Sequence, residues 1–380
     1  MSYFDNNATT ALGHNALFSY EAALSKDWAN PSSPYRTGSR VRAKIEQARE
    51  ELAGFFSFNR DQIIFTSGAT EANNAIFAHF SKGLGLKGSC LVSPFEHPSV
   101  IDSAKYWFDQ KIIYMPTDGK GLVNLNETSS ILEKEKISLV SLMAANNETG
   151  VLQPWQELAE VCLRNGVYFH CDATQWVGKL DTSGLSNCGS FSASAHKFCG
   201  PKGVGWLATK APVKMQLGGA QEFGLRGGTE NYPAIASMMA AFKDAQDRIS
   251  EVNSRALWRD EFDKGIVAGI PNSQILGSGK KRLWNTSMVL LPDYENLRWV
   301  GKLDKLGFEV STGSACSVGK EQGSGIANHY GLTSGQGRRL VRVSSYFEHS
   351  QSDWENLLSA FCLAYKELRS DSVSSSVLSL

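Results

Sequence analysis

Gln62-Ile63-Ile64-Phe65-Thr66-Ser67-Gly68-Ala69-Thr70-Glu71 changes character within ten residues. Its first half is a short run of large apolar side chains. Its second half is a turn of small residues that opens onto a helical pattern over 71–80. The same alternation recurs from about residue 60 to 210. Cys90–Ser93, Lys111–Met115, Leu139–Ala144, Val167–Cys171, Phe191–Ala193 and Val204–Ala208 read as strands, and Pro98–Phe108 and Pro154–Asn165 as helices. Strands covered on both faces need continuous apolar runs, and strand–helix alternation builds a mainly parallel sheet. The expected fold class is α/β. A long helical pattern, broken or continuous, follows over 232–267. Beyond it, shorter strands at Thr286–Leu290, Phe308–Ser311 and Leu340–Ser344 predict a second, smaller α+β unit.

The bulk properties narrow the function. The chain has 380 residues, and 38 Lys plus Arg balance 38 Asp plus Glu. A formal charge of zero gives no support for nucleic acid or an anionic membrane as the main partner. No apolar run approaches the ~20 residues that span a bilayer. Met1–Thr10 lacks the pattern of a secretory signal or a transit peptide, so a cytoplasmic location is expected. The seven cysteines are odd in number and none has C-x-x-C spacing. That argues against a disulfide framework and a zinc knuckle.

Three segments carry chemistry. Ser67–Glu71 sets free backbone N–H groups at a helix start, which suits a phosphate or simply caps the helix. In Phe169-His170-Cys171-Asp172-Ala173-Thr174-Gln175 a carboxylate closes a buried strand, where α/β folds place ligands. Asp172 reads as the partner of a protonated pyridine nitrogen or as the N-cap of a following helix. In Ser194-Ala195-His196-Lys197-Phe198-Cys199-Gly200-Pro201-Lys202-Gly203, Lys197 follows an apolar strand amid small residues. It reads as a desolvated, reactive amine or as a surface loop lysine, and Lys202 as part of an exposed turn.

Eight collinear segments resemble the cysteine desulfurases, a group of class V aminotransferase-like, fold-type I pyridoxal 5'-phosphate enzymes. They are Tyr3–Thr10, Ser67–Asn74, Glu96-His97, Asn146–Gly150, Asp172–Gln175, Ser194–Gly203, Arg226–Asn231 and Ser311–Ser317. The resemblance implies a large domain with a seven-stranded, mainly parallel sheet over residues 13–250. It implies a small domain of 1–12 with 251–370, carrying the cysteine loop. The Ser-rich segment 371–380 is expected to be disordered. It further implies Lys197 as the Schiff-base lysine, Asp172 as the pyridinium partner and Gln175 as the ring-oxygen donor. His97 resembles the imidazole that stacks on the ring and moves protons in catalysis, and Ala69, Thr70, Ser194 and His196 the phosphate site. Thr229 resembles a phosphate ligand lent by the other subunit of a homodimer with shared active sites. Asn147 resembles the side chain near both the cofactor's ring oxygen and the substrate carboxylate, and Arg342 the substrate-carboxylate arginine, whose guanidinium offers two parallel hydrogen bonds.

Cys316, in a run of small residues, resembles the nucleophile that takes sulfur from L-cysteine as a persulfide. A sulfur-acceptor protein is the implied partner, and iron–sulfur cluster assembly one destination. Selenocysteine lyase, another lyase or transaminase of this fold, and a non-catalytic partner in sulfur-carrier assembly are the alternatives. Ala195, Cys199 and Phe223 depart from the residues usual in the group.

Overall fold

The computed structural model describes residues 1–82, 88–313 and 325–377. The strands are β1 (Ser2–Tyr3), β2 (Ile63–Thr66), β3 (Ser89–Val92), β4 (Ile112–Tyr114), β5 (Ile137–Ser141), β6 (Tyr168–Asp172), β7 (Ser190–Ser194), β8 (Gly205–Thr209), β9 (Gln274–Ile275), β10 (Thr286–Leu290), β11 (Phe308–Glu309) and β12 (Leu340–Ser344). Seven of them form one sheet in the order β2-β8-β7-β6-β5-β3-β4. Every neighbouring pair from β7 to β4 is parallel. Only β8 is reversed, antiparallel to both β7 and β2.

The helices are α1 (His14–Lys26), α2 (Arg36–Phe56), α3 (Ala69–Lys82), α4 (Pro98–Phe108), α5 (Leu125–Lys134), α6 (Trp155–Arg164), α7 (Tyr232–Asp247), α8 (Val252–Gly269), α9 (Asn296–Lys305), α10 (Gly325–His329), α11 (Ser334–Gly337) and α12 (Gln351–Val377). The pattern over 232–267 is two helices, separated by a short turn at Ile249–Glu251. No helix among the described residues is long and apolar enough to cross a membrane.

Apolar cores cover both faces of the large sheet. On one face Ile76 and Phe77 of α3 and Val100 and Phe108 of α4 cluster with Cys90, Val92, Leu139 and Leu207. On the other, Ile45, Leu52, Phe56, Trp155 and Phe242 cluster with Phe65, Leu91, Val140, Phe169, Phe191 and Trp206. This explains the continuous apolar strands.

A separate cluster joins Phe4, Phe262, Ile266, Trp299, Trp354 and Phe361 to Val289, Val341 and Val343. It lies on one side of the sheet β12-β10-β9. Successive residues of a strand face opposite ways. Val341 and Val343 enter this core, and Arg342 between them is turned to the other side, opposite Met288. The first residues of the chain join the same region. Strand β1 pairs in parallel with β11, and Asp5 bridges to Ser344. Helix α12 continues to Val377, past Ser370 where the serine-rich composition predicts fraying. Its earlier turns are anchored by Trp354, Leu357, Phe361 and Leu368, all buried, and serine only mildly disfavours helix.

Candidate active site

Strand periodicity builds the floor of the site. In β6, Phe169 and Cys171 enter one core, so His170 and Asp172 face α3. In β7, Phe191 and Ala193 do the same, leaving Ser190, Ser192 and Ser194 on the α3 side. Asn73 of α3 reaches this polar layer with no exposed surface. Its amide nitrogen donates to Asp172 Oδ2 and Ser99 Oγ, both at 2.9 Å. Its carbonyl oxygen accepts from Ser192 Oγ at 2.7 Å and lies 2.9 Å from His170 Nε2, which therefore carries the proton. His170 Nδ1 is bonded to Ser190 Oγ at 2.8 Å. Burial pushes the His170 imidazole down to about 4, against the pull of Asp172.

Asp172 also accepts from Thr174 N at 3.0 Å. Residues 174–179 form turns and no helix follows directly, so the alternative of an N-cap on a following helix does not hold. A buried carboxylate at the end of β6, fixed by two donors, fits a cationic ring nitrogen. Glu96 lies close enough to feel its charge. Burial and then Asp172 raise the Glu96 carboxyl well above the usual range. His97 precedes α4 as its cap. Its Nδ1 accepts from Ser99 N at 3.1 Å, which leaves the proton on Nε2. Burial lowers its pKa, with Asp172 opposing and Lys197 adding to the shift.

Lys197 lies in the short turn after β7, half-buried. Its Nζ donates to the carbonyls of Asn7 and Ala8, both at 2.7 Å. Gln175 Nε2 donates to the same Asn7 carbonyl at 3.0 Å. Ala69, Thr70, Ser194 and His196 line one cavity of about 350 Å³ with Thr9 and Lys202. Ala69 N donates to Ser194 Oγ at 3.1 Å. Gly68 has φ +146°, and a Cβ there would meet Ser194 Oγ at 2.9 Å. The start of α3, this glycine turn and Lys202 fit a phosphate dianion. Burial, then Lys197, Lys202 and Lys179, push His196 down to about 4, so its ring is neutral at pH 7.

Arg342 is 2% exposed. Its Nη2 pairs with Asp5 Oδ1 at 2.6 Å, and Nη1 donates to the Asn147 carbonyl at 3.1 Å. Buried Nε has no partner among the described residues, leaving a donor for a further carboxylate. Thr229 lines a neighbouring cavity with Ser67, Gly203 and Arg226, outside the one that holds Thr70 and Ser194. Cys316 lies outside the described residues.

The sequence reading overlooks Asn7, Asn73, Asp5, His170 and Lys179. It also sets Lys202 apart from the site, whose wall it forms while staying exposed. The six described cysteines are free, four of them buried and Cys199 and Cys362 half-buried.

The sequence model of the class-V aminotransferases matches residues 2–357. The chain belongs to this family. Among its relatives, Cysteine desulfurase 2 of Trichormus variabilis is 33% identical over 336 residues, covering 87% of this chain and 84% of that protein. Cysteine desulfurase IscS of Dictyoglomus turgidum is 36% identical over 324 residues, covering 83% and 82%. A solved NifS-like protein superposes with a TM-score of 0.86 at 28% identity, covering 96% of this chain and 99% of its own. This class-V member is thus an enzyme of the cysteine desulfurase group, which depends on pyridoxal phosphate.

Proposed function

We propose that the protein converts L-cysteine to L-alanine and that Cys316 carries the sulfur away as a persulfide. The observation that supports this most is the convergence of Lys197, Asp172, Gln175 and the phosphate-fitting cavity at the ends of β6 and β7. Pyridoxal phosphate bound there supplies the electron sink for chemistry at the substrate Cα. Ala69, Thr70, Ser194 and His196 would hold its phosphate, Asp172 its ring nitrogen and Gln175 its ring oxygen. Lys197 would link to it covalently, and His97 would stack on its ring. Arg342 grips the substrate carboxylate through its vacant Nε edge, with Asn147 beside it. Lys197 Nζ, once free, or His97 takes the Cα proton. Cys316 thiolate attacks the substrate Sγ. The carbon–sulfur bond breaks, a sulfur–sulfur bond forms, and the carbon product is protonated to alanine.

The same reading places Thr229 in the active site of a second copy, making a homodimer. It divides the chain into a large domain of 13–250 and a small one of 1–12 with 251–370; the separate core around Trp299 and Trp354 supports that division. It locates the enzyme in the cytoplasm, handing sulfur to an acceptor protein, with iron–sulfur cluster assembly as one route. The test is mass spectrometry of the protein after cysteine treatment. One added sulfur is expected on the peptide containing Cys316. Retention of that sulfur, or of full sulfide release, in Cys316→Ala overturns the assignment.

A further inference from the structure

Lys179 is a lysine with no exposed surface, and the chemistry proposed above makes no use of it. Burying an amine without partners is costly, so its contacts carry information. Its Nζ donates to Gln175 Oε1 at 2.6 Å and to Asn7 Oδ1 at 2.7 Å. Both acceptors belong to the site. Gln175 then has its carbonyl engaged, and its amide nitrogen donates to the Asn7 carbonyl at 3.0 Å. That carbonyl also receives Lys197 Nζ at 2.7 Å. The rest of Asn7 is equally committed. Its Nδ2 donates to Thr286 Oγ1 at 2.8 Å and to the Asn147 carbonyl at 3.1 Å, and its N–H to Ser344 Oγ at 3.0 Å. Lys179 is fixed from behind, because Trp284 Nε1 donates to its carbonyl at 2.9 Å.

An amide side chain can present either oxygen or nitrogen, and a phenolate-like ring oxygen needs a donor. We infer that Lys179 is a positioning residue, which sets the Gln175 amide with its N–H side toward the cofactor's ring oxygen and holds Asn7 against Lys197. This rests on the reading of Gln175 and Lys197 as cofactor residues. With its carbonyl taken by Lys179 and one amide hydrogen by Asn7, Gln175 retains a single hydrogen for the ring. Burial, then the charges of Lys197 and Arg342, push the Lys179 amine well below the usual lysine range.

The experiment titrates the apoprotein with pyridoxal phosphate, following tryptophan fluorescence and the visible absorption band. Four proteins form a double-mutant cycle: wild type, Lys179→Met, Gln175→Ala and the pair. Met preserves the length of the side chain and removes the donor. Lys179→Met is expected to weaken cofactor binding about tenfold, one hydrogen bond's worth of affinity. It should also move the pH midpoint of the visible band. In the Gln175→Ala background the loss should be smaller and the midpoint should not move, because only the contact with Asn7 then remains. Lys179→Gln, which keeps an amide donor, is carried alongside and should lose less; it closes the cycle if Lys179→Met lacks a cooperative melting transition. Wild-type affinity in Lys179→Met, or the same loss with and without Gln175, overturns the inference. A visible band that survives Lys197→Ala instead overturns the cofactor reading beneath it.

Discussion

Asn73 shows how much one side chain can determine. Its amide is saturated by four partners, on β6, β7 and α4, all at 2.7–2.9 Å. Leaving a buried donor or acceptor unpaired costs about 1–3 kcal/mol. Asn73→Ala strands the His170 Nε2–H and the Ser192 hydroxyl and releases one oxygen of Asp172. A loss of about 2–4 kcal/mol in denaturant unfolding is expected, with little change in m-value. A variant as stable as wild type would show that the network is dispensable. This residue was not legible in the sequence, where it reads as one of two adjacent asparagines. Its bond to Asp172 spans 99 positions, and that of Lys179 to Asn7 spans 172. Collinear motifs reveal which residues face the ligand. They do not reveal which residues hold those in place.

At the level of elements, the central strands were legible because both faces are apolar. The boundaries of β7 were not. Phe191–Ala193 is the apolar part, whereas the strand runs from Ser190 to Ser194, and its serines form the polar half facing α3. Helices α1 and α2 go unread, although Val41, Ile45, Ala48, Leu52 and Phe56 make a buried stripe at helical spacing on α2. The seam between β7 and β8 is tight where it meets the phosphate-fitting turn. A Cβ on Gly205 would lie 2.3 Å from the Ala193 carbonyl oxygen and 2.9 Å from Gly68 Cα. Both are backbone atoms, so the strands must part. Gly205→Ala should cost about 1–3 kcal/mol. It should also weaken cofactor affinity, since Ser194 and Gly68 flank the seam. Thermal melting and cofactor titration check this; an unchanged melting temperature would show that the seam yields freely.

At the scale of the whole molecule, buried histidines couple stability to pH. His170 and His196 are held neutral, each pushed down to about 4 against an unfolded value near 6.5. Between those values the unfolded chain binds more protons than the folded one, so stability falls as pH falls. The contribution is complete above about pH 6.5 and lost as pH drops through about 4. For fully buried His170 it is on the order of 3 kcal/mol at most. Denaturation midpoints at pH 7.5, 6 and 5 should decline in that order. A flat profile over that range would contradict the burial of neutral His170.

The opening residues have a further consequence, one of timing. Tyr3 is seated by Glu309, Phe4 by the core around Trp354, and Asn7 by Thr286 and Ser344. The carbonyls that receive Lys197 therefore precede the large sheet in the chain, yet part of their seat lies on segments made after it. A ribosome can release the strands of the large sheet, through β8, long before the chain reaches Ser344. During that interval Asn7 would lack the contacts to Thr286 and Ser344 that help to hold it against Lys197. Chains grow from the N-terminus at about 5–20 residues per second, so this interval lasts several seconds.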